Sequence, residues 1–114
     1  MNIRIIKDRI SKDILQQAAA ESFGSMVKAV VDIEDGIIAL GGELHADGEA
    51  ELLQLGSLQE NLWGINIYPE QPREDRIEYI SLINIRPSGG NKSMEVEDQA
   101  IRDKIKEIVD RLIE

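Results

Sequence analysis

Four ionisable residues, Glu43, His45, Asp47 and Glu49, stand two apart in Gly41-Gly42-Glu43-Leu44-His45-Ala46-Asp47-Gly48-Glu49. If Glu43 to Asp47 is extended, the side chains of Glu43, His45 and Asp47 share one face. Two carboxylates and an imidazole are then a ligand set for a divalent metal, or an acid–base group. If a helix begins at Leu44 instead, His45 and Glu49 form an i, i+4 pair and the carboxylate raises the imidazole pKa. The plain alternative is that Asp47 caps a helix and His45 makes one structural hydrogen bond. No H-E-x-x-H or comparable metal spacing is present.

A second polar group is Asn84-Ile85-Arg86-Pro87-Ser88-Gly89-Gly90-Asn91-Lys92. Here Arg86 is suited to grip a carboxylate or phosphate bidentately, with Ser88 and Lys92 as added donors and the two glycines turning N–H groups inward. Its competitor is an internal pair between Arg86 and Glu43 or Asp47. Between the two places, Trp63-Gly64-Ile65-Asn66-Ile67-Tyr68 puts Asn66 and Tyr68 on the face opposite Trp63, beside a glycine that leaves room for a ligand or a partner backbone. The ligand-binding candidates are therefore Glu43, His45, Asp47, Asn66, Asn84, Arg86 and Ser88, the metal candidates Glu43, His45 and Asp47. No serine lies in G-x-S-x-G, so nucleophilic hydrolysis has no support.

The elements that must position these residues are legible as periodicities. Asn2 to Ile6 alternates as a strand. Ser11 caps a helix whose stripe is Ile14, Leu15, Ala18, Ala19 and Phe23, with Gly24 as its left-handed stop. Val27–Ile33 and Ile37–Leu40 flank Asp35-Gly36, the dipeptide of a type I′ hairpin turn, and their continuous apolar character places them where both sheet faces are covered. Asp47 opens a second helix through Leu55, closed by Gly56. Leu62 to Tyr68 alternates as a strand, and Arg76 to Arg86 reads as the longest one. Ile101, Ile105, Ile108, Val109 and Leu112 mark a last helix capped by Asp98. The order β-α-β-β-α-β-β-α predicts one α+β domain over 1–114: a mostly antiparallel sheet of about five strands with three helices, largely on one face.

Composition narrows the chemistry further. The 114 residues carry 22 acidic and 13 basic side chains, a net charge of −9. That balance argues against nucleic-acid or anionic-membrane binding. The absence of cysteine removes disulfides, zinc thiolates and redox dithiols, and one histidine is too few for an imidazole cage. No apolar stretch suits a signal peptide or a bilayer span, so a cytoplasmic protein is expected. Exposed strand edges and 18 isoleucines to hide point to a homo-oligomer.

The segments VKAVVDI, GGELHAD, WGINIYP and INIRPS, followed by a terminal helix, resemble a small prokaryotic family catalogued only as a domain of unknown function. The resemblance spans nearly the whole chain. It implies a single cytosolic domain and assigns no activity, cofactor or catalytic residue. The leading expectation is a small binding or interaction protein with Glu43, His45, Asp47 and Arg86 clustered near one end of the sheet. The alternatives are a metal-dependent enzyme acting on an anionic small molecule, and an antitoxin-like regulator that meets a basic protein with its acidic surface.

Overall fold

The structure, a computed structural model, describes residues 2–114. Five strands form one antiparallel sheet: β1 (Ile3–Ile6), β2 (Val27–Asp32), β3 (Ile37–Gly41), β4 (Leu62–Ile67) and β5 (Ile77–Glu78), in the order β1-β3-β2-β4-β5. Three helices complete the α+β fold: α1 (Lys12–Ala20), α2 (His45–Gln54) and α3 (Gln99–Leu112). Ser11 accepts from the Ile14 N–H and Asp98 from the Ala100 N–H, the side-chain caps expected at the starts of α1 and α3.

Alternation along the strands sorts the core. Ala29, Val31, Ile38, Leu40, Trp63, Ile65 and Ile67 pack with Leu15, Ala18 and Ala19 of α1 and with Ile105, Ile108, Val109 and Leu112 of α3. The other face carries Val30, Ala39 and Leu62, covered by Leu52 of α2 and by Ile83. The helices are thus divided between the two faces rather than gathered on one. Consecutive apolar residues in β2 and β3 follow directly, since both of their faces are dry. Ile14 and Phe23, expected in the buried stripe, lie at its exposed margin; Phe23 instead receives the Lys28 ammonium 5.5 Å from its ring centre.

Three local expectations change. The β2–β3 connection is not a type I′ turn, because Asp35 keeps a negative φ and only Gly36 is left-handed. Buried Asp32 sets this loop: its carboxylate accepts the N–H groups of Glu34 and Asp35 and the Ser57 hydroxyl, at 2.9, 3.0 and 2.7 Å. Second, α2 starts at His45, not Asp47, which rules out the extended Glu43–Asp47 geometry. Third, the long strand over 76–86 reduces to β5, after which the chain bends into a single 3-10 turn at Leu82–Asn84. The Ser81 hydroxyl accepts the Ile83 N–H there and begins the turn.

Candidate ligand-binding cleft

Beyond β5, the outer edge of β4 is finished by side chains rather than by a strand. The Asn84 carboxamide accepts the Gly64 N–H at 2.9 Å and donates to the Gly64 carbonyl at 3.0 Å, reproducing one rung of a ladder. Its Nδ2 also reaches the Met94 carbonyl at 3.0 Å. Asn84 is 0% exposed, and both ends of its carboxamide are committed within the protein. One position along, the Arg86 guanidinium donates to the Leu62 carbonyl, and to those of Glu60 and Ile83 at 3.3 Å each, while lying 4.3 Å from the centre of the Trp63 ring. Burial lowers the Arg86 pKa, opposed by the charge of Glu49. The N–H groups of Gly89 and Gly90 bond back to Arg86 and Pro87, so the glycine loop satisfies itself instead of opening toward an anion. Ser88 is exposed on that loop.

This edging holds residues 80–83 over the sheet. Gly64 makes the approach possible: a Cβ there would sit 2.5 Å from Ser81 Cβ and 3.0 Å from Ile83 Cγ1. The room beside Gly64 foreseen for a partner backbone is filled by the chain's own. On the same face Gly48 brings α2 down, its Cα bare against Val30 and Ala39. Between these two supports lies a cleft of about 270 Å³, walled by Ile80, Ser81, Leu82, Ile83 and Met94, roofed by Leu44, His45 and Ala46, and floored by Lys28 and Asn66, which face each other across β2 and β4.

His45, 8% exposed, bonds through Nε2 to the Ile65 carbonyl at 2.7 Å. A carbonyl only accepts, so Nε2 bears the proton and Nδ1 of the neutral ring keeps its lone pair. Burial drives the imidazole pKa below its usual value and the Lys28 charge adds to this, whereas the Ile65 carbonyl and the Asn66 side chain work the other way. The rise foreseen from Glu49 is not found: Glu49 is not among the groups that act on the imidazole, and its charge bears on Arg86 instead. Asn66, also 8% exposed, donates through Nδ2 to Glu78 Oε1 at 2.8 Å and to the Ile80 carbonyl at 3.5 Å. Two acceptors on that side fix which end of the amide is which. Its Oδ1 is buried without a donor. Lys28 forms no ion pair with a carboxylate among the described residues.

Glu43 and Asp47 stay outside this cleft. Both are exposed, and Asp47 Oδ2 accepts the Leu44 N–H at 3.1 Å. Among the described residues no three His, Asp or Glu side chains converge on a position a metal ion would take, since the helical start at His45 turns the triplet apart. Arg86 meets β4 at Leu62 and His45 meets it at Ile65, roughly 10 Å along a strand, so the guanidinium and the imidazole do not share a pocket. Of the sequence candidates, the cleft gathers His45 and Asn66 and excludes Glu43, Asp47, Asn84, Arg86 and Ser88. Sequence reading missed Lys28, whose signal was a lone cation inside the apolar run of β2, and it missed Asn91. That buried carboxamide donates to the carbonyls of Asn84, Ser93 and Glu95 and accepts the Glu97 N–H, binding the 84–97 loop into one unit.

A family model described as a protein of unknown function (DUF5674) matches residues 4–112. The chain belongs to the DUF5674 family. No curated protein and no solved structure matches it. In this DUF5674 member no helix among the described residues is long and apolar enough to cross a membrane.

Proposed function

We propose that this DUF5674 member is a small-molecule-binding protein whose site is the cleft beneath the start of α2. The observation that carries the reading is Asn66 Oδ1, a buried acceptor with no donor, in a residue at the floor of a cleft lined mostly by apolar side chains. Leaving such a group unpaired costs about 1–3 kcal/mol, which a ligand bearing an N–H or O–H recovers. Pockets that are mostly apolar with a few convergent polar groups are the usual form of such sites. The rim supports the same reading: Leu44 is 58% and Leu82 71% exposed, apolar surface that a bound molecule would partly cover.

Saturation-transfer NMR against a panel of small primary amides, amines, alcohols and carboxylic acids tests it. At least one donor-bearing class is expected to receive saturation from the wild-type protein and to lose it in Asn66→Leu. If every class behaves alike with the two proteins, the cleft is not a binding site. The reading also takes the protein as a cytoplasmic homo-oligomer. Its support is that β1, an end strand, pairs only with β3; multi-angle light scattering that returns a monomer across the accessible concentrations would remove that part.

A further inference from the structure

The cleft is asymmetric in its chemistry, and the asymmetry narrows the class of ligand. Acceptors stand where floor and roof meet: Asn66 Oδ1 without a donor, and above it the imidazole of His45 with Nε2 already given to Ile65. The Asn66 amide cannot turn to offer its nitrogen instead, because that would set its oxygen against Glu78 Oε1 and the Ile80 carbonyl. This end asks for a donor.

The roof and the remaining floor ask for the reverse. Helix α2 begins with Leu44 at the cap position, a residue with no side-chain acceptor, and the one acid of its first turn, Asp47, folds back onto the Leu44 N–H. The His45 and Ala46 N–H groups have no acceptor among the described residues, and both residues line the cleft. Helix starts with open N–H groups favour an external anion. Lys28, facing Asn66 across the strands, brings a cation that no carboxylate among the described residues pairs, its ammonium 5.5 Å from the centre of the Phe23 ring. The third component is the wall of Leu44, Ile80, Leu82, Ile83 and Met94, which suits an aliphatic body. A volume of about 270 Å³ is at or below the lower limit for drug-sized ligands, roughly 300 Å³, and suits a molecule of amino-acid size.

We infer that the ligand is a small aliphatic carboxylic acid carrying an amine or hydroxyl beside the carboxylate, its donor on Asn66, its carboxylate at Lys28 and the start of α2, and its chain against Leu82 and Met94. The inference rests on the binding role proposed for the cleft and adds the ligand's chemistry.

Isothermal titration of the whole protein at neutral pH with a matched set of compounds tests it. Leucine and 2-hydroxy-4-methylpentanoate carry the donor, the carboxylate and the chain; 4-methylpentanoate lacks the donor and 3-methylbutylamine lacks the carboxylate. At least one of the first two is expected to bind, about tenfold or more tighter than either truncated compound, because each missing group leaves a polar partner unmet. The amine and the hydroxyl are told apart by which of the pair binds. Lys28→Met, at a half-buried position, is expected to weaken the acid about tenfold without weakening 3-methylbutylamine. Equal affinity for 4-methylpentanoate, or acid binding indifferent to both Lys28→Met and Asn66→Leu, overturns the inference. If none of the set binds while fragments of another class still saturate through Asn66, the inference falls and the cleft's binding role stands; if neither occurs, both fall.

Discussion

Replacing Asn84 by alanine removes the groups that stand in for a missing strand. The substitution strands the Gly64 N–H and the Gly64 carbonyl, paired at 2.9 and 3.0 Å by a fully buried carboxamide, and takes from the Met94 carbonyl one of its two donors, the Ser81 N–H remaining. A buried main-chain group left unpaired costs about 1–3 kcal/mol. With water re-entering at the sheet edge, the low end for the two stranded groups gives about 2–3 kcal/mol. Against a total stability of roughly 6–17 kcal/mol for 114 residues, that is a large share. Urea denaturation followed by circular dichroism should show the midpoint falling with the slope unchanged, and thermal melting should drop by about 8 °C or more. Asn84→Asp, equal in size, keeps an acceptor for Gly64 N–H but turns an oxygen toward two carbonyls, so it should be at least as damaging. Since Asn84 also fixes the 81–83 wall, a surviving fold should bind cleft ligands more weakly. An Asn84→Ala protein within about 1 kcal/mol of wild type would refute the reasoning, because the two Gly64 groups could not then depend on the carboxamide.

Further outcomes follow from the same geometry. Gly64→Ala drives a methyl group into Ser81 and should cost about 1–3 kcal/mol by overpacking, read by thermal denaturation, while displacing the cleft wall. Arg86→Lys exchanges a fork that spans three carbonyls for one ammonium; we expect a loss of about 2 kcal/mol and a shifted emission from Trp63, the only tryptophan. His45 titrates below its ordinary 6.5 when folded, so the unfolded chain takes up the proton first. Its contribution to stability is therefore whole above about pH 6.5, falls as acid is added, and levels off once the folded pKa is passed. Denaturation midpoints measured across this range should show that slope in wild type and lose it in His45→Gln.

What the sequence made legible was whatever periodicity and capping control. Asp98 and the Ile105–Leu112 stripe fix α3 because both signals are local, and the alternation of Trp63, Ile65 and Ile67 fixes β4 and its buried face for the same reason. The 76–86 segment misleads because IEYISLINI has the composition of a strand. Yet Ser81 and Asn84 satisfy backbone groups with their side chains, an option invisible to a pattern of apolar residues. The cleft is half legible. His45 and Asn66 stand out by type, but their distance in sequence conceals that they line one cleft, and Glu43 and Arg86 draw attention by charge although neither lines it. Helix α2 begins two residues before Asp47, and that small displacement separates a ligand set from a helix start.

The most direct measurement is a heteronuclear NMR titration of the isotope-labelled protein with leucine and with its 2-hydroxy analogue. The account predicts that saturating shifts gather on the His45 and Ala46 amides, the Asn66 side-chain amide and the Ser81–Ile83 amides, leaving α1 and α3 still. Shifts confined to another surface, or no shift at any accessible concentration of either compound, would contradict it.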